Sequence, residues 1–385
     1  HTRLTHSLEV SCIGRSLGML AAEKIRNDLP DWIDPSDVGA IIQAACLAHD
    51  SGNPPFGHAG EYAIRDWFGK PEQAELLTVF NPSEAADLCQ FEGNAQGMRI
   101  LTRLEYHPNQ GGMRLTYATL GAYLKYPWVA QSLDTQGSLA SHRRAKFGCY
   151  QSEKEFLQQI GEQLGLVQTG DYAFARHPLA YLLEAADDIC YGLIDLEDGL
   201  LLGMLDYRDV EPLFLQLIGD YGVPDELTNN MPVPQKLAAL RGRAMNSLVD
   251  AIAEAFRQQQ VALLNGELKG TLLDHCSAHL RDGIENAKHM ARQRIFTHPQ
   301  KARLELVASS SLQVLLDAFI PLGINRAGTT FRDNRLVNIL EHMGATLNGT
   351  PYQNTMQILD VITALSDHQA FALSQDIQGN RNNLF

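Results

Sequence analysis

His49-Asp50-Ser51-Gly52-Asn53-Pro54-Pro55-Phe56-Gly57-His58-Ala59-Gly60-Glu61 is the stretch on which the reading of this chain turns. Residues 37–49 place apolar side chains at helical spacing and run directly into His49-Asp50. The glycines and prolines between 51 and 57 stop that helix sharply. A new helix is expected to start near His58 or Gly60 and to continue to Trp67. The loop therefore carries an imidazole and a carboxylate at each end. At a spacing of three, His58 and Glu61 share one helix face.

The helical pattern continues in both directions. Residues 6–28 carry Leu8, Val10, Ile13, Leu17, Leu20 and Ile25 close to a helical period. Residues 83–105 read as one further helix, and 107–150 as irregular chain with short helices. The clearest helix is 178–203: Pro178 suits a first turn, where its missing N–H is not needed, and good helix formers follow. Residues 234–320 predict several long amphipathic helices and 350–376 at least one more. Strand signals are scarce. The expected fold is all-α, a helical bundle with additional C-terminal helices and at most a small hairpin. Loops near 70–82 and 220–234 are possible seams, but neither reads as a linker. One domain is expected over 1–385, with a core about 1–205 and a helical C-terminal part about 206–385.

Composition narrows the function classes. The 31 basic and 45 acidic residues give a net charge of −14, which argues against a protein whose main role is to coat nucleic acid. It leaves room for a local basic pocket. Six scattered cysteines without a Cys-x-x-Cys pair give no zinc knuckle or thioredoxin-like site, and fit a reducing cytoplasm. No uninterrupted run of 18 apolar residues occurs, so no membrane span is expected. No signal peptide is read, and no phosphate-binding Gly-x-x-x-x-Gly-Lys-Ser/Thr loop is present. The chain opens at His1, inside what reads as a functional segment, so a preceding segment is expected.

His6, His49, Asp50 and Asp187 together form a mixed nitrogen and oxygen ligand set. Such a set suits one divalent ion: Mn, Fe, Co, Ni, Zn or, less well, Mg. An isolated His-Asp pair is a weak signal, and a lone histidine is commonly a satisfied core group. The surrounding motifs change the odds. Arg3-Leu-Thr-His6-Ser-Leu-Glu9, His49 to Glu61, Phe91-Glu-Gly-Asn94-Ala-Gln96-Gly and Glu184-Ala-Ala-Asp187-Asp-Ile-Cys-Tyr191-Gly-Leu-Ile-Asp195 stand in this order. A weaker match, Phe296-Thr-His-Pro ahead of Arg303-Leu-Glu-Leu, follows them. In these motifs the chain resembles the HD-superfamily deoxynucleotide triphosphohydrolases, specifically the bacterial dGTPase branch. The resemblance spans most of the chain and is looser in its last third.

That resemblance implies an HD-type helical fold and hydrolysis of dGTP to deoxyguanosine and inorganic triphosphate, with Mn2+ or Mg2+ as the foremost metals. It implies that His6, His49, Asp50 and Asp187 bind the metal and that His58 and Glu61 are the catalytic pair, with Glu61 holding the second ring nitrogen of His58. It places Arg3, Lys125 and Tyr126 at phosphates, and Tyr191 and Asp195 at the sugar. Asp187, Tyr191 and Asp195 fall at i, i+4 and i+8, on one helix face. The resemblance also places Asn94 among the substrate contacts; from the residues alone, Asn94 and Gln96 have two readings, support of the metal-side network or a helix cap. Ser51 and Gln90 depart from the pattern, and the missing base-recognising segment before Arg3 bears on guanine specificity. The resemblance further implies a homo-oligomer, with hexamers among relatives, and single-stranded DNA binding in some. A broader dNTP triphosphohydrolase or an HD nucleotidase is the alternative enzyme reading. A non-catalytic nucleotide sensor or single-stranded DNA-binding protein ranks below both, because all four ligands are present.

Overall fold

Asp34 and Pro35 set where the helix before the His49-Asp50 pair begins. The Asp34 carboxylate accepts from Ser36 N–H at 2.8 Å, and the Asp37 carboxylate accepts from Asp34 N–H at 2.9 Å. This reciprocal cap satisfies donors that the first turn leaves open, and Pro35 occupies that turn at no cost. The computed structural model describes residues 3–104, 112–130, 146–219, 222, 231–296, 299–325 and 330–380. Helices α1 (Arg3–Lys24), α2 (Pro35–Ala48) and α3 (His58–Phe68) follow the expected order. The predicted 178–203 helix is Pro178–Leu201, again opening on proline. The only strands among the described residues are a two-stranded antiparallel hairpin, Gln168–Gly170 with Ala173–Phe174. The all-α expectation is met.

The chain divides into two units, each assembled from three segments. The first comprises His1–His49, Leu115–Lys125 and Ile160–His298. In it α1 packs on α2, on Pro178–Leu201 and on Val233–Gln258. Glycines set the α1–α2 distance. A Cβ at Gly18 would lie 3.1 Å from Val38 O and 3.2 Å from Gly39 Cα. One at Gly14 would lie 2.4 Å from Cys46 Sγ. The pairing of 14 with 46 and of 18 with 39 runs oppositely along the two helices. It therefore carries the start of α1, with His6, toward the end of α2, with His49. Gly18→Val should push the helices apart and cost ~1–3 kcal/mol, the usual range for overpacking. Thermal unfolding measures it, and an unchanged Tm would show that the contact yields freely.

The second unit comprises Asp50–Arg114, Tyr126–Gln159 and Pro299–Phe385. Its core gathers Ile64, Trp67, Phe68, Phe91, Phe147 and Phe319 around the long helix Pro299–Asn325. Residues 301–324 of that helix meet the length and hydropathy of a membrane span, although no unbroken apolar run is present. Leu312, Leu315, Leu316, Phe319 and Ile320 are fully buried in the unit's own core, which accounts for the hydropathy. α3 packs against this helix, and Trp67 Nε1 donates to Asp317 Oδ1 at 2.6 Å. The start of α3 is held by strain: Phe56 has φ 65°, a conformation that bulky residues rarely adopt. Its N–H donates to Asp367 Oδ1 at 2.8 Å, which ties the turn down.

Two expectations change here, over 83–105 and over 70–82. The 83–105 segment is two helices, Pro82–Cys89 and Gly93–Arg99, followed by a π turn over Ile100–Leu104. Helix breaks at Gln90–Glu92 because Glu92 is extended and its buried carboxylate pairs with Arg65. The 70–82 stretch is not a loop but contains short helices, Pro71–Gln73 and Ala74–Leu77. Residues 350–376 form two capped helices, Pro351–Thr363 and Asp367–Gln378. Most of the 220–234 seam lies outside the described residues.

A buried polar layer links the segments of the second unit. Arg99 bonds both Asp360 oxygens, with its closest contact 2.7 Å, and Glu153 at 2.7 Å. Asp87 is fully buried; it accepts from Tyr352 OH at 2.5 Å and Gln151 N–H at 2.7 Å. Burial pushes its carboxyl up to about 8, with Glu153 and Glu84 adding to the rise and its two donors opposing it. The folded state thus holds the proton more tightly than the unfolded chain. This contribution to stability is complete below pH ~4, falls as pH rises and is lost by about pH 8. Asp87→Asn should remove several kcal/mol of that pH dependence, at ~1.4 kcal/mol per tenfold change in proton affinity. Urea unfolding at pH 5 and pH 9 reads it out, and equal slopes for both proteins would assign the proton elsewhere.

Candidate metal centre

Three helices each bring one donor to a common point in the first unit. α1 supplies His6, the end of α2 supplies His49, and Pro178–Leu201 supplies Asp187. Asp187 Oδ1 lies 3.4 Å from His6 Nε2 and 3.4 Å from His49 Nε2. One ligand atom from each residue lies within 4.8 Å of the other two. His49 is buried, and its Nδ1 sits 2.6 Å from Cys46 O. A carbonyl only accepts, so Nδ1 carries the proton and Nε2 offers its lone pair, the usual way a ligating imidazole is oriented.

Burial alone would raise the Asp187 carboxyl, but the Lys125 ammonium and the two imidazoles hold it well below the usual carboxylate range. Lys125 Nζ reaches Asp187 Oδ2 at 2.5 Å. His6 Nε2 and Asp187 Oδ1 are buried and make no hydrogen bond. Such atoms are costly unless something else satisfies them. A separation of 3.4 Å matches two donors each ~2.1 Å from one shared ion. The donor chemistry and the two orphaned atoms fit a divalent cation. Beside the cluster, the Tyr191 ring lies 4.9 Å from the His6 ring. Asp195, one turn further along the same helix, is half-buried. Arg3, in the first turn of α1, is exposed.

The second unit holds a separate carboxylate arrangement. His58 opens α3 and is exposed, whereas Glu61 one turn later is only 4% exposed. Glu61 Oε1 accepts from Gly93 N–H at 2.7 Å, and Arg65 stands 3.8 Å from Oε2. Arg65 also donates to Glu92 Oε2 at 3.0 Å, and Asn94 donates to Glu92 Oε1 at 2.7 Å. Burial and the Glu92 charge raise the Glu61 carboxyl; Arg65, His58 and the Gly93 N–H oppose them. A Cβ at Gly52 would lie 2.0 Å from both Gly93 O and Gly97 N, so only glycine lets the loop lie against this helix.

No model of a protein family matches the chain. Over 385 residues, the chain is 47% identical to a deoxyguanosinetriphosphate triphosphohydrolase-like protein of Pseudomonas aeruginosa, covering 98% of the chain and 86% of that relative. The chain belongs to the deoxyguanosinetriphosphate triphosphohydrolase family. A like-named protein of Synechocystis is 36% identical over 98% of the chain and 86% of its own length. The deoxyguanosinetriphosphate triphosphohydrolase of Cronobacter sakazakii is 32% identical over 83% of the chain and 70% of its own length.

Within this family frame, the structure gathers His6, His49 and Asp187 but does not bring Asp50 into the same group. His58 and Glu61 share no hydrogen bond; Glu61 is turned to Gly93 instead. Gln96 Nε2 donates to Asp360 Oδ1 at 2.9 Å. Asn94 Nδ2 donates to Glu92 Oε1 at 2.7 Å, and Glu92 itself occupies the cap position. Tyr126 stacks against Trp128 with ring centroids 5.7 Å apart. In the Phe296 motif, residues 297 and 298 lie outside the described residues. Sequence reasoning missed Arg65 and Glu92 as partners of Glu61. The signal available was the spacing of four between Glu61 and Arg65, with Glu92 inside a motif already singled out.

Proposed function

We propose that this chain hydrolyses dGTP to deoxyguanosine and inorganic triphosphate, with Mn2+ or Mg2+ as the divalent ion. The observation that carries the reading is the His6, His49 and Asp187 donor group with its two orphaned buried atoms. Family membership supplies the substrate class. His6 and His49 would bind the ion through Nε2 and Asp187 through Oδ1, with Asp50 as a fourth ligand. A divalent ion there lowers the pKa of water and neutralises charge on the phosphate under attack.

Arg3 contacts the phosphates from one turn before His6, and Lys125 and Tyr126 are further phosphate contacts. Tyr191 packs against the deoxyribose, and Asp195 accepts from its 3′-hydroxyl. An aromatic ring against C2′ leaves no room for a 2′-hydroxyl, an effective ground for excluding ribonucleotides. A water oxygen bonds to the α-phosphorus as the bond from phosphorus to the 5′ oxygen breaks. His58 delivers a proton to that leaving oxygen, the attacking water gives up a proton to solvent, and triphosphate departs intact. Glu61, kept in place by Gly93 and Arg65, acts on His58 through its charge. The six free cysteines support a cytoplasmic setting, and exposed Leu304, Leu306 and Phe331 support self-association.

Incubation of the purified protein with each dNTP and Mn2+, with anion-exchange separation of products, tests the reading. Deoxyguanosine and triphosphate from dGTP are expected. Equal turnover of all four dNTPs would replace it with a broad triphosphohydrolase. Orthophosphate released only from monophosphates would make the chain a nucleotidase, and no turnover of any nucleotide would overturn it.

A further inference from the structure

The structure assigns Lys125 as a positioning residue that limits how Asp187 can grip a cation. The assignment rests on the metal reading above and concerns residues of the first unit only. Lys125 closes the segment after the helix Tyr117–Tyr123, which packs against both α2 and Pro178–Leu201. Its backbone N–H donates to Tyr123 O at 2.9 Å, fixing the turn from which the side chain departs. The Lys125 and Asp187 side chains are 13% and 14% exposed, so water and salt screen the pair weakly.

The two oxygens of Asp187 have different neighbours. Oδ2 is taken by the ammonium at 2.5 Å, whereas Oδ1 faces both imidazoles at 3.4 Å. Two consequences follow. Oδ1 is the oxygen turned to both imidazoles, so a cation held there would be bound by Asp187 through that oxygen. The ammonium also sets a positive charge beside a second positive charge, which weakens cation binding. Partners behind a ligand commonly change metal affinity by 10- to 100-fold; here the partner is a cation, so its removal strengthens binding. A lysine that merely held two segments together would have the opposite effect, because its loss would loosen the carboxylate.

Titration of the purified full chain with Mn2+, following free ion by electron paramagnetic resonance, separates the two. Lys125→Met should bind Mn2+ on the order of tenfold more tightly than wild type, with an unchanged circular dichroism spectrum. Lys125→Arg, which restores the charge, should return affinity to near the wild-type value. Equal or weaker binding by folded Lys125→Met would overturn the assignment. If Lys125→Met does not fold, Lys125→Gln keeps a donor to Oδ2 without the charge; tighter binding by it supports the assignment and unchanged binding overturns it. No nucleotide enters the measurement, so failure of dGTP hydrolysis leaves it standing. A wild-type chain that takes up no Mn2+ would overturn the metal reading and this assignment together.

Discussion

Asp187→Ala should abolish stoichiometric Mn2+ uptake and lower dGTP turnover by ~10³-fold or more, because the ion supplies both nucleophile activation and charge neutralisation. The residue stands where three dependencies meet. Its Oδ1 is the shared neighbour of His6 and His49, and its Oδ2 is the partner of Lys125. Removal also leaves the mostly buried Lys125 ammonium without that carboxylate, and breaking a buried pair on one side costs ~3–5 kcal/mol. Folding and chemistry are separated by Asp187→Asn, which keeps the shape and loses the charge. It should remain folded by circular dichroism and still fail to bind Mn2+. Normal turnover in either variant would remove the cluster from the mechanism.

His58→Ala should leave Mn2+ affinity unchanged and reduce kcat by ~10²–10⁴-fold, the usual contribution of a positioned acid or base. The side chain is exposed at the first residue of α3, so stability should hold. Its neighbour Glu61 differs, being buried and bonded to Gly93 N–H. Glu61→Gln should therefore perturb both activity and stability, whereas His58→Ala perturbs activity alone. An unaltered rate for His58→Ala would move the proton donor elsewhere.

Local features were legible because local chemistry causes them. Pro178 opens its helix, and the Gly-Pro loop ends α2 at the His49-Asp50 pair. The imidazoles and the Asp187 carboxylate could be singled out by residue type and motif. The break at Gln90–Glu92 could not, because apolar periodicity runs through it. It arises from Glu92 pairing with Arg65 and from the approach of Gly52 to Gly93, and neither contact leaves a mark in the local pattern.

The sequence by itself determined the helical class, the order of the helices and which side chains could ligate a cation, since turn chemistry and hydrophobic period act over a few residues. Tertiary structure alone decided which of them meet: His6 and His49 with Asp187, Lys125 against the carboxylate, and Gly93 rather than His58 on Glu61. Those pairings join residues tens to more than a hundred positions apart. They depend on interhelix distances set by glycines such as Gly18 and on the direction each side chain leaves its helix, quantities that exist only once the chain has packed.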